Sequence, residues 1–106
     1  MNKLLEVRAS DGGKLLLFHC PGCGYDHYFR VEAGSSGGTV WRWNGDRERP
    51  TFSPSLGVNM QMPQHRCHSF VEDGRIRFLN DSFHELAGQT VDLPPFDQND
   101  GREGLD

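Results

Sequence analysis

Short runs in which apolar and polar residues alternate, each ended by a turn signal, dominate this sequence. Residues 3 to 8 (KLLEVR) and 14 to 19 (KLLLFH) read as strands parted by the turn Ser10-Asp11-Gly12-Gly13. Residues 27 to 31 (HYFRV) then set His27, Phe29 and Val31 against Tyr28 and Arg30. Trp41-Arg42-Trp43 alternates in the same way and runs into Asn44-Gly45, a strong turn pair. Pro50 and Pro54 bracket Thr51-Phe52-Ser53 and confine that stretch to an edge or an irregular strand, and Leu56 to Met62 resumes as a strand until Pro63.

The best-specified element is a hairpin from Arg66 to Leu79, turned at Asp73-Gly74. A two-residue loop there pairs Glu72 with Arg75, Val71 with Ile76, Phe70 with Arg77 and Ser69 with Phe78. Side chains alternate across a strand, so Cys67, Ser69, Val71, Ile76 and Phe78 share the more apolar face, and His68, Phe70 and Glu72 share the other. Asp81 suits the N-cap of a short helical turn from Ser82 to Ala87, closed by Gly88, and Gln89 to Leu93 makes a last strand ended by Pro94-Pro95. The pattern predicts a mainly β fold: a small antiparallel arrangement of hairpins with one short helical turn. It occupies a single domain over residues 1–96, followed by an acidic, flexible tail over 97–106.

Composition adds a constraint on the core. A chain of 106 residues has room for one core and not two, and 13 glycines and 6 prolines at 35% hydrophobic content make that core thin enough to benefit from a metal staple. The net charge is −4, but Asp97, Asp100, Glu103 and Asp106 against Arg102 put −3 of it in the tail and leave the body near −1. A nearly neutral body lacks the basic field that non-specific nucleic-acid binding requires. Three cysteines, two of them only three positions apart, do not make a disulfide framework. No apolar run reaches signal-peptide or membrane-spanning length, so the expectation is a cytoplasmic protein without membrane contact.

The chemistry concentrates in Cys20-Pro21-Gly22-Cys23-Gly24. Two thiols separated by Pro-Gly, with glycine after the second, form a tight turn whose amides face the sulfurs, as in a zinc knuckle. Cys67, on the apolar hairpin face, is the expected third ligand. The fourth comes from His27, His68 or His84. His27 is favoured because it lies four residues past Cys23 on the face of Phe29 and Val31, whereas His68 in a regular strand points away from Cys67 and His84 is remote in sequence. His19 and His65 read as solvent-facing. Thiol redox chemistry would want a helix after the first cysteine, and GYDHYFRV reads as turn and strand. The zinc-deaminase order and HExxH are both absent from the sequence. The hydroxyls of Thr51, Ser53 and Ser55 read as partners for backbone groups around the prolines, and no catalytic residue is assigned.

A second cluster interleaves rings and guanidinium groups: Trp41, Trp43, Arg47 and Arg49 form a possible ligand surface of the kind that stacks single-stranded nucleic acid, although Asp46 and Glu48 offset its charge.

Taken in order, CPGC with His27, WRWNG (41–45), RPTFSPS (49–55), RCHSFVEDGRIRFL (66–79) and DSFHELAGQTVDLP (81–94) resemble a family of small zinc-binding proteins common in tailed phages and prophages. The resemblance spans about residues 18–95. It implies recurrent Cys and His positions at Cys20, Cys23, His27, Cys67, His68 and His84, with cysteine in many members where this chain has Ser82. Some members carry the name ammonia monooxygenase, which a chain without a membrane span or a histidine-rich oxygen-activating site does not fit. The resemblance implies a small zinc-binding protein of undetermined function, and the expectation drawn beside it is a phage- or prophage-encoded, zinc-stabilised interaction module acting on a host or phage macromolecule, such as an anti-defence inhibitor or accessory factor, with a protein partner in the host cytoplasm. The alternatives are a metal-dependent hydrolase with an open zinc position and a single-stranded nucleic-acid binder.

Overall fold

A computed structural model describes residues 2–96. Nine strands follow in chain order: β1 (Leu5–Arg8), β2 (Lys14–His19), β3 (Asp26–Glu32), β4 (Arg42–Trp43), β5 (Phe52–Ser53), β6 (Leu56–Val58), β7 (Cys67–Glu72), β8 (Arg75–Phe78) and β9 (Thr90–Asp92). They form three antiparallel sheets, β1-β2-β3, β4-β5 and β6-β7-β8-β9. The mainly β expectation holds.

The β7–β8 hairpin has the register expected from its Asp-Gly turn, with Glu72 opposite Arg75 and Ser69 opposite Phe78. Asp73 (φ 51) and Gly74 (φ 76) both adopt the left-handed conformation that such a turn demands. The strand after Ser55 is shorter than the expected Leu56 to Met62. It stops at Val58 because Asn59 turns left-handed (φ 55), and Pro63–His65 forms a 3₁₀ turn. The residues expected as a helical turn, Ser82 to Ala87, instead make successive tight turns, with Ser82 N–H donating to Leu79 O, Ala87 N–H to His84 O and Gln89 N–H to Leu86 O.

Between the sheets lies one aromatic core. Phe29 stacks on Phe52 (centroids 3.9 Å, planes 6° apart) and on Phe18 (5.6 Å), which joins the first sheet to the β4–β5 ribbon. Val71, Ile76 and Phe78 contribute the inner face of the third sheet, and all of these side chains are buried. Truncating one such phenylalanine to alanine costs about 3–5 kcal/mol, a large share of a small domain's stability. Among the described residues no helix is long and apolar enough to cross a membrane.

Candidate functional site

Two side-chain clusters meet on β7, back to back. The inner one begins at the β2–β3 tip. Gly24 N–H donates to Cys20 O (2.8 Å) and Cys20 N–H to Tyr25 O (3.1 Å), a closure that needs Gly24 at φ 81. Cys23 N–H points at Cys20 Sγ (3.4 Å), and Cys67 Sγ comes from β7 to within 3.9 Å of Cys20 Sγ. With His27, these residues form a group of four donor atoms all within 4.8 Å of one another, able to hold a metal ion. Cys20 and Cys67 are fully buried, and Nε2 of the buried His27 has no hydrogen-bond partner. An orphaned imidazole nitrogen aimed among three sulfurs is costly unless a cation satisfies it.

The three thiols share their protons unequally. The hydrogen bond from Cys67, opposed by burial and assisted by His27, holds the Cys20 thiol well below its ordinary value. Burial and the neighbouring Cys20 charge push Cys23 up to about 11. The hydrogen bond that keeps Cys67 a donor to Cys20, with burial, pushes Cys67 up as well.

Of the alternative fourth ligands, neither belongs to that group. His84 Nδ1 accepts from Leu86 N–H (3.2 Å), so its proton sits on Nε2, which points at Cys67 Sγ from 3.7 Å. His84 therefore touches the cluster as a hydrogen-bond donor to a sulfur. Its ring also occupies the space a side chain at Gly22 would take. His68 lies on the opposite face of β7.

On that outer face stands the second cluster. In the β6–β7 pairing Gly57 lies opposite His68, so Ser55, two residues before Gly57, is the diagonal neighbour of His68 on one face of the sheet. Ser55 Oγ is 3.1 Å from His68 Nε2, and His68 Nδ1 is 3.3 Å from Asp81 Oδ2. A carboxylate only accepts, so Nδ1 carries the proton and Nε2 is left to accept from the Ser55 hydroxyl. The side chains of His68 and Asp81 are 24% and 40% exposed, so the relay is open to a substrate.

Main-chain hydrogen bonds explain the alignment. Past the end of β8, residues 79–83 continue alongside β7: Leu79 N–H donates to His68 O (2.8 Å) and Phe83 N–H to Arg66 O (2.8 Å). Buried Ser82 Oγ accepts from His68 N–H (3.0 Å) and donates to His68 O (2.9 Å), which fixes Asp81 beside the imidazole. From the other side, Trp41 Nε1–H donates to Ser55 O (3.2 Å). This is the arrangement of nucleophile, base and orienting carboxylate used in acyl transfer.

Sequence reasoning missed Ser55 and Asp81 as chemical groups. Their signal was the shared appearance of RPTFSPS, RCHSF and an Asp at the head of the next block, which cannot be read as a triad until β6, β7 and residues 79–83 are laid side by side. The aromatic and basic stretch is used internally. Trp43 stacks on Phe52 (6.3 Å) with Arg47 and Lys14 over its ring at 5.7 and 5.9 Å, Arg47 pairs with Glu6, and Trp41 packs edge-on against Phe29. Arg49, exposed, directs its carbonyl to Asn44.

Residues 1–79 match the model of the BubE family, described as a bacterial ubiquitination-like system serine protease, and the chain belongs to that family. The match includes Ser55 and His68 and ends two residues before Asp81. No curated protein and no solved structure matches. Membership in this family corrects the expected phage-encoded anti-defence module and points to a protease-associated role. A metal ion held by the group of Cys20, Cys23, His27 and Cys67 would have four protein donors within reach. The family description places the chain in a bacterial system; an association with phages is not part of it.

Proposed function

We propose that this chain is a serine peptidase in which Ser55 is the nucleophile, His68 the general base and acid, and Asp81 the orienting carboxylate. The observation that carries the reading is the continuous hydrogen-bonded line from Ser55 Oγ through both nitrogens of His68 to Asp81 on an accessible face. Ser55 Oγ attacks the carbonyl carbon of the scissile bond as its proton passes to His68 Nε2. Collapse of the tetrahedral adduct breaks the C–N bond while His68 returns that proton to the leaving amine, leaving an ester on Ser55. Water, deprotonated by the same nitrogen, hydrolyses the ester. Asp81 stabilises the imidazolium at each stage and keeps its tautomer.

Zinc is the metal proposed for Cys20, Cys23, His27 and Cys67. Three sulfurs and one imidazole suit it, and a closed four-donor set makes the site structural. Bound there, the ion supplies cross-linking between the β2–β3 tip and β7. His84 donates to a ligand sulfur from outside. The three unpaired cysteines fit a reducing bacterial cytoplasm. The family's description points to a peptide or isopeptide bond within a ubiquitination-like system, so the partner proposed is a protein substrate of that system.

Turnover of p-nitrophenyl acetate provides a direct test of the acyl-transfer step. The wild-type protein should show an acylation burst that Ser55→Ala abolishes; equal, unsaturable hydrolysis by both proteins would sink the reading.

A further inference from the structure

One stretch of chain touches both the inner cluster and the outer triad. Residues 79–86 follow β8 without forming a strand or a helix, and they bring Asp81 to His68. Their side chains alternate: Ser82 is buried and His84 and Leu86 are half-buried, whereas Asp81, Phe83 and Glu85 are exposed. A stretch without a repeating hydrogen-bond ladder keeps its shape only through individual anchors. Ser82, bonded to the His68 main chain, is the anchor next to Asp81. Beyond Phe83, whose N–H bonds to Arg66 O, the anchor is the ring of His84.

Several contacts fix that ring. It stands edge-on to Phe78 (centroids 4.4 Å, planes 84° apart) and lies over Gly22, where there is no room for a side chain. Its Nδ1 accepts from Leu86 N–H (3.2 Å) and its Nε2–H is directed at Cys67 Sγ (3.7 Å). A leucine would pack against Phe78 equally well, so the two ring nitrogens are what distinguish histidine here. Only a neutral imidazole accepts from the main chain on one side and donates to a sulfur on the other. A sulfur that ligates a metal is a thiolate, and a hydrogen bond to it is charge-assisted. Cys67 and His68 are neighbours on β7, so the stretch is pinned to one strand at both residues, by His84 and by Ser82.

We propose that His84 is a positioning residue for the triad: by donating to Cys67 Sγ it anchors the stretch that presents Asp81 to His68, and so ties the geometry of the outer site to the filling of the inner one. The inference rests on the triad as proposed and on Cys67 as a metal ligand. It gives the staple a second effect. Breaking the bond from His84 leaves the four donors and the core in place but loosens the carboxylate that orients the imidazole.

The test uses the full chain loaded with cobalt(II), whose thiolate charge-transfer band reads the sulfurs, and a small fluorophosphonate, whose rate of labelling Ser55 reads the triad. His84→Asn keeps an acceptor for Leu86 N–H and is too short to reach Cys67, whereas His84→Gln reaches it with an amide N–H. In His84→Asn the band should move to lower energy, since a thiolate relieved of a hydrogen bond gives up electron density more readily, and labelling should slow about 10- to 100-fold. His84→Gln should restore the band and bring labelling to within about threefold of wild type. Because His84 acts through Asp81, adding His84→Asn to Asp81→Asn should slow labelling by less than about a further twofold. An equal loss in both backgrounds overturns the inference, as does an unshifted band, or a shifted band with wild-type labelling. Loss of the four-coordinate cobalt spectrum in His84→Asn would make His84 a ligand and overturn it too. Should His84→Asn not fold, His84→Leu, which fills similar space without a donor, carries the same comparison; if neither folds, His84 is a residue of the fold and the inference is lost. All of these results leave the triad standing, whereas no labelling of Ser55 in the wild type removes both.

Discussion

Cys67 and His68 are neighbours on one strand and live in opposite environments. Cys67 points inward, fully buried, into a point where four donor atoms converge, and its position is over-determined by β2, β3 and the core around Phe78. His68 points outward between Ser55 and Asp81, its ring 24% exposed, and is held by bonds to its own backbone. On the proposed reading, the difference separates what keeps the fold from what does the chemistry. A buried metal cluster gains by being closed, whereas a nucleophile and its base must be reached by substrate. One strand can serve both only because side chains alternate faces.

Perturbations of the two faces should therefore have different signatures. The largest effect belongs to the inner face. Stripping the metal, or Cys20→Ser, should remove cooperative thermal unfolding altogether or lower its midpoint steeply, because structural zinc supplies about 10–16 kcal/mol in small domains whose net stability is about 5–15 kcal/mol. An unchanged melt with chelator would mean that the inner cluster is no staple. Next come Ser55→Ala and His68→Ala, expected to reduce kcat by about 10³–10⁶ while the melting curve stays nearly where it was. A loss of activity that only tracks unfolding would erase the distinction between faces.

Asp81→Asn should follow, with a fall in kcat of about 10²–10⁴ and little change in KM, since the amide presents a donor where Nδ1–H needs an acceptor. Ser82→Ala lies between the two classes. It removes both bonds to the His68 backbone and leaves that pair facing an apolar methyl, so stability should drop by about 1–3 kcal/mol and kcat should fall as well. Retained activity would show that Asp81 is positioned without Ser82. The smallest effect is expected from Arg47→Ala, where a surface ion pair with Glu6 is worth about 0.2–1 kcal/mol and activity should not move.

How far the sequence was legible follows the range of the interactions. The β7–β8 register could be read because Asp73-Gly74 fixes it locally, and the inward placement of Cys67 came with it. The proximity of Cys20, Cys23 and His27 was likewise written into a turn and one strand. The triad was not, since Ser55 and His68 meet only through the β6–β7 pairing, and Asp81 reaches His68 through an irregular segment whose hydrogen bonds have no periodicity to announce them. Asp81 before a run of moderate helix formers looked like an N-cap, yet Phe83 N–H and Leu79 N–H bond to β7 and draw the segment away from helix. Ser55 was hidden for a related reason. A serine after a proline has an ordinary role in satisfying backbone, and only the cross-strand imidazole distinguishes it.

The central claim is that Ser55 is an activated nucleophile. Incubating the metal-loaded protein with a fluorophosphonate and mapping the adduct by peptide mass spectrometry addresses it most directly. The account predicts a single adduct on Ser55, lost in His68→Ala despite an unchanged melt. An adduct on another residue such as Ser53, or equal labelling of wild type and His68→Ala, would contradict it.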